Sequence, residues 1–161
     1  MTFKAIETKY RGHLFRSRQE ARWAVCLDYL VIPWRYEFEG FRFDNGRQYL
    51  PDFLLPERNL WLEVKGREPT AEEFEKATLL AQHDRRPLVI TWENFEVATQ
   101  DHNLVFWYDD DGLFRTMQGW HWLDNPEPGW EAARKARFDG RPRRSLPWCE
   151  LSDEQYGELP Y

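Results

Sequence analysis

Apolar positions along the chain change period several times, and each change marks an element. Ser17-Arg18-Gln19-Glu20 has the form of a capping box, and behind it Trp23, Leu27 and Leu30 recur at helical spacing. This predicts a first helix from Ser17 to about Leu30, ahead of Ile32-Pro33. Residues 35–43 alternate, which predicts a strand bent at Gly40. Asp44-Asn45-Gly46 is a hairpin turn signal, and the return strand is expected from Gln48 to about Leu55. A third strand runs from Leu60 to Lys65 and ends at Gly66. In it Leu60, Leu62 and Val64 point one way and Trp61, Glu63 and Lys65 the other. Glu63 and Lys65 therefore share a face, about 6.6 Å apart along the strand.

Pro69-Thr70-x-x-Glu73 opens a second helix, expected to about His83, with Phe74, Ala77, Thr78 and Ala81 facing inward. Pro87 to Thr91 is a short apolar run, the fourth strand. Because it returns after a helix, it is expected to lie parallel to the third. Leu104–Tyr108 and Leu113–Met117, joined through Asp109-Asp110-Asp111-Gly112, read as a hairpin, and Pro128 to about Phe138 as a third helix with a basic end. Residues 1–16 suit an arm or a short strand. The tail, 141–161, has no clear period and is expected to be partly disordered. The fold class is α/β in the α+β sense: a mixed sheet flanked by helices, with an additional hairpin and C-terminal helix. With 161 residues, one domain is expected, its core at about 10–91 and accessory elements at about 92–140.

Composition narrows the classes. At 42% hydrophobic and 17% aromatic the chain has enough apolar side chains to fold. Cys26 and Cys149 are far apart and form no C-x-x-C, which argues against a disulfide scaffold or zinc knuckle and fits a reducing compartment. Met1-Thr2-Phe3-Lys4 opens no signal-peptide apolar core, and no apolar run approaches the ~20 residues of a bilayer span, so a cytoplasmic location is expected. The net charge of −6 speaks against a polyanionic partner, but its distribution does not. Residues 1–36 carry seven Lys/Arg against three acids, residues 134–144 six against one, and the middle, 37–133, nine against twenty. Basic ends around an acidic middle allow phosphate binding at one surface.

Asp52 ends one apolar run, and Glu63 and Lys65 sit two residues apart in the next. Their carboxylates are hard oxygen ligands of the kind Mg²⁺ or Mn²⁺ accepts, and two of them leave coordination positions open for water and a phosphate oxygen. Lys65 suits orientation of an attacking water and balancing of phosphate charge. The Val64 backbone carbonyl is a further candidate ligand. Glu20, three residues before Trp23, lies at the end of the first helix's buried stripe, where it serves as a cap, reaches the site directly or through a water, or does both.

Pro51-Asp52, then eleven positions on Glu63-Val64-Lys65, resembles the PD-(D/E)XK nuclease superfamily of restriction enzymes, junction resolvases and recombination exonucleases. Phe15-Arg16-Ser17-Arg18-Gln19-Glu20-Ala21-Arg22-Trp23-Ala24, Tyr49-Leu50-Pro51-Asp52-Phe53, Trp61-Leu62-Glu63-Val64-Lys65-Gly66 and Ala132-Ala133-Arg134-Lys135-Ala136-Arg137-Phe138 are similar to segments of small phage and actinobacterial members. The likeness is close over about 10–91, patchy in 92–127 and returns in 128–140. It implies a restriction-endonuclease-like core, Mg²⁺ or Mn²⁺ as cofactor, and DNA as partner. It also implies Asp52, Glu63 and Lys65 as catalytic and Glu20 as the helix-borne acid. A further polar residue on the following helix is Lys76 or Gln82.

Arg16, Arg18 and Arg22 around the first helix's start, and Arg134, Lys135 and Arg137 with Arg141, Arg143 and Arg144, are candidate phosphate contacts, as is Lys76. Trp120, His121 and Trp122 are candidate stacking residues, equally suited to a core or a dimer contact. His13, His83, His102 and His121 lack metal-ligand spacing. The expectation is a metal-dependent deoxyribonuclease, acting endonucleolytically and conceivably as a homodimer. The alternative is a nucleic-acid-binding protein that keeps the fold without turnover.

Overall fold

The computed structural model describes residues 5–92 and 102–138. Among them the chain forms a mixed α+β structure. Its elements in order are β1 (Thr8–Tyr10), β2 (His13–Phe15), α1 (Arg18–Tyr29), β3 (Arg35–Tyr36), β4 (Phe41–Arg42), β5 (Gln48–Tyr49), β6 (Phe53–Leu55), β7 (Leu60–Lys65), α2 (Ala71–Asp84), β8 (Leu88–Trp92), β9 (Asn103–Tyr108), β10 (Phe114–Gln118) and α3 (Glu127–Lys135). Six strands make the main sheet in the order β10-β9-β8-β7-β6-β3, while β1-β2 and β4-β5 are separate two-stranded ladders. As the crossover through α2 requires, β7 and β8 pair in parallel, with Glu63 opposite Ile90; the other neighbours in the sheet are antiparallel.

Local chemistry sets the helix boundaries. Ser17 caps α1, its hydroxyl accepting from the Glu20 N–H at 3.1 Å. At the other end the chain closes a Schellman motif: the Ile32 N–H donates to the Leu27 carbonyl and the Val31 N–H to the Asp28 carbonyl. Thr70 and Glu73 form a reciprocal capping box on α2. Its inward face is Ala77, Leu80 and Ala81. Thr78 is only half-buried, its hydroxyl donating back to the Phe74 carbonyl at 3.0 Å, and Phe74 is 39% exposed although its ring meets Phe106 edge-on.

Two apolar cores lie on opposite faces of the sheet. On one, Leu60, Leu62 and Val64 of β7 pack with Trp23, Ala24 and Leu27 of α1 and with Trp130 and Ala133 of α3. On the other, Trp61 joins Leu88, Ile90 and Phe106 under Ala77, Leu80 and Ala81 of α2. The result is a helix–sheet–helix sandwich with β7 near its middle, buried at five of six positions.

Several expectations need correction. Residues 35–43 are two strands in different sheets, because Glu37 takes a left-handed conformation (φ 46°) while its N–H donates to the Asp52 carbonyl at 2.8 Å. The return strand breaks likewise at 50–52, where Pro51 has no N–H for a ladder. The hairpin of β9 and β10 is part of the main sheet, with β9 paired along β8. Residues 1–16 contain the β1-β2 hairpin, turned at Arg11 and Gly12, both with positive φ. The third helix ends at Lys135, since Ala136 is already extended. Arg141, Arg143, Arg144, Cys149 and the tail lie outside the described residues.

Candidate active site

The break before β6 is what brings two carboxylates together. Asp52 sits immediately ahead of β6, and Glu63 is on the adjacent β7. The Asp52 N–H donates to Glu63 Oε2 at 3.2 Å, and the Val64 N–H donates to Asp52 Oδ2 at 2.7 Å. Asp52 is 6% exposed and Glu63 4%. Burial holds the Asp52 carboxyl well above the usual range, and the Glu63 and Glu20 charges push the same way against the Val64 N–H and Lys65. Glu63 is also raised by burial, against the opposing pull of Lys65, the Asp52 N–H and the Tyr49 hydroxyl. Among the described residues no group donates to Asp52 Oδ1.

Lys65, one turn of the pleat beyond Glu63, places Nζ 2.7 Å from Glu63 Oε1 and 3.5 Å from Glu73 Oε1. Partial burial opposes its charge, but the Glu63 ion pair outweighs this and keeps the ammonium above its ordinary value. Glu73 is in the first turn of α2 and accepts from Arg67 Nη1 at 2.8 Å and from the Thr70 N–H at 2.8 Å. Partial desolvation works against ionisation there; Arg67, Thr70 and Lys65 overcome it and bring the Glu73 carboxyl to about 2.

Glu20 approaches from the opposite layer. Its Oε2 accepts from the Tyr36 hydroxyl at 2.6 Å and the Arg16 N–H at 3.2 Å, and its Oε1 from the Ser17 hydroxyl at 2.6 Å. It is buried at 6% exposure, and its charge is felt at Asp52. It reaches the Arg16 N–H and the Ser17 hydroxyl rather than the Ser17 N–H, so the expected reciprocal capping box does not form, and it borders the site. Among the described residues, however, no three His, Cys, Asp or Glu side chains gather into a metal-holding group, so the centre is a pair of acids with a lysine.

That pair suits a divalent cation. Two nearly buried carboxylates face one ammonium, so ionising both would leave negative charge for a cation to balance, and among the described residues Asp52 Oδ1 has no donor. Strand geometry adds a third oxygen. The N–H and C=O of one strand residue point to the same side, and the Val64 N–H reaches Asp52, so the Val64 carbonyl is turned toward Asp52.

Tyr49 and Tyr36 were not foreseen. The Tyr49 phenol lies close enough to Glu63 to act on its charge, and it is pushed well above its ordinary value by burial and then by the Glu63 and Asp52 charges. The Tyr36 phenol is raised by burial and by its bond to Glu20. An aromatic in a strand reads as core from sequence, and only the break at 50–52 sends Tyr49 to the acids. Glu73 was legible only as a cap, since the capping box fully explains it locally.

The basic candidates separate. Arg16 pairs with Glu37, close enough that Asp52 acts on its charge. Arg18 and Arg22 of α1 and Arg134, Lys135 and Arg137 at the end of α3 line one cleft of about 600 Å³. Lys76 pairs with Glu72 at 3.0 Å on α2 and does not line that cleft; Gln82 is exposed. Trp122 is not a stacking platform. It is buried, and its ring lies against Trp23 at 5.8 Å. Cys26 is buried on the inner face of α1 with its thiol raised by desolvation, which removes it as a nucleophile.

No protein-family model matches the chain, and no curated protein does. Fold and site together define an α+β structure with a carboxylate immediately ahead of β6, a second on β7 and a lysine two residues further along it. No helix among the described residues is long and apolar enough to cross a membrane.

Proposed function

We propose that the chain is a divalent-metal-dependent nuclease of the PD-(D/E)XK kind, with a restriction-endonuclease-like fold, that hydrolyses DNA phosphodiester bonds endonucleolytically. The observation that carries this reading is the buried Asp52–Glu63 pair, one acid just ahead of β6 and the other on β7, with Lys65 Nζ on Glu63. Asp52, Glu63 and the Val64 carbonyl are the residues that would hold Mg²⁺ or Mn²⁺. When bound, the ion supplies a water of lowered pKa and positive charge for the phosphorane-like transition state. Lys65 is held ready by Glu63 and Glu73, and its ammonium orients the attacking water and stabilises charge on the scissile phosphate. Tyr49, beside Glu63, favours its ionised form. Glu20 fixes the start of α1 against Tyr36 and adds negative potential at the site.

The test is cleavage of plasmid and linear DNA with Mg²⁺ or Mn²⁺. Lys65→Ala and Asp52→Ala are each expected to lower the rate about 10²–10³-fold. Equal products from wild type and both variants would remove the reading. DNA retained in a gel shift without turnover under either ion would favour a non-catalytic binding protein.

A further inference from the structure

We propose that the cleft between the start of α1 and the end of α3 is a binding track for the sugar-phosphate backbone of an unpaired nucleic-acid strand. Arg18, Arg22, Arg134, Lys135 and Arg137 line it, Phe138 forms part of its wall, and among the described residues no acidic side chain does. These cations belong to two basic segments more than a hundred positions apart, which α1–α3 packing joins into one concave surface. Five cations around one recess repel each other unless an anion sits among them. Two are steadied along α3, Arg134 by Glu127 at 2.6 Å and Lys135 by Glu131. Surface pairs of this type are weak and exchange readily for phosphate.

Arg22 adds a second, independent sign. It is half-buried, and its Nε is enclosed with no hydrogen-bond acceptor among the described residues. An enclosed donor without an acceptor is costly, and a phosphate oxygen in the cleft would supply one. Phe138 distinguishes the occupant. Its ring is half-buried and meets Tyr10 edge-to-face at 6.2 Å. An aromatic wall beside a row of cations suits a strand whose bases are free to stack. A duplex keeps its base faces inside and would rest on the rim. The choice of nucleic acid over another polyanion rests on the nuclease reading above; the anion preference itself does not.

Fluorescence anisotropy of the full chain in EDTA tests this, with a labelled single-stranded oligonucleotide, the matching blunt duplex, and a polyglutamate peptide of equal charge as competitor. Arg18→Ala/Arg137→Ala is expected to weaken single-strand binding about tenfold or more. It should also reduce the slope of log K against log salt by about 1.4, two contacts at about 0.7 each. Phe138→Leu should weaken the single strand about fivefold or more and the duplex less. Arg115→Ala, an exposed charge on β10, should change neither. Four results would each overturn the proposal: no single-strand binding by the wild type, unchanged binding by the double variant, a larger loss for duplex than for single strand, or displacement by polyglutamate. If the double variant melts early, Arg18→Ala alone, at an exposed site, decides the matter. Cleavage by wild type with unchanged binding in the variants keeps the nuclease and rejects the track. Binding lost in the variants with no cleavage by wild type does the reverse.

Discussion

Burial keeps the Asp52 carboxyl well above the ordinary range, and the Glu63 and Glu20 charges reinforce it. Its folded value therefore exceeds its unfolded value, so the protonated form stabilises the fold and that contribution is lost as pH rises through the folded value. In EDTA, the melting temperature of the wild type is expected to fall as pH is raised from the ordinary carboxylate range through that raised value. Asp52→Asn keeps an acceptor for the Val64 N–H and carries no charge. It should melt higher than wild type at the upper pH, with a flatter profile, each kcal/mol being about 2–4 °C at this size. Calorimetry in EDTA showing a wild-type midpoint that rises with pH would refute this. A second residue stores strain away from the site. Val31 is β-branched, 67% exposed and left-handed (φ 56°) at the position of the Schellman motif where glycine is usual. Val31→Gly is expected to stabilise the protein by about 1 kcal/mol in urea denaturation, since relief of the left-handed penalty exceeds glycine's added chain entropy.

Among the elements, those specified by their own residues were legible beforehand. Ser17 and Thr70 cap their helices, and β7 spans Leu60–Lys65 as its alternation requires. What escaped were features imposed from elsewhere in the chain. The split between β3 and β4 depends on a Glu37 bond to the Asp52 carbonyl, and no local pattern announces it. The same holds for the approach of α3 to α1. Gly129 lies so close that a Cβ there would come within 2.8 Å of Leu30 Cγ and 2.9 Å of Cys26 Sγ. Gly129→Ala is therefore expected to destabilise the fold by about 1–3 kcal/mol through overpacking. It should also weaken oligonucleotide binding, because it pushes apart the helices that carry the basic cleft. Urea denaturation and anisotropy on the same sample check both effects, and a variant as stable as wild type would show that α3 shifts without cost.

Over the whole molecule, charge and chemistry are divided between distant parts of the chain. The acids and lysine come from α1, the β6-β7 pair and the start of α2, and sequence spacing alone made Asp52, Glu63 and Lys65 visible as a set. The cleft could be read only as two separate basic runs, because its existence depends on tertiary packing of α1 against α3. That division gives the protein an order in time as it leaves the ribosome. The described groups around Lys65 are all synthesised by Glu73, whereas the last described residue of the cleft, Phe138, follows 65 positions later (138 − 73). At about 5–20 residues per second, this is a delay of roughly 3–13 s. For those seconds a nascent chain carries the residues of the acid–lysine cluster before α3 exists, so under the two proposals above the surface for a polyanion is completed after the residues assigned to cleavage.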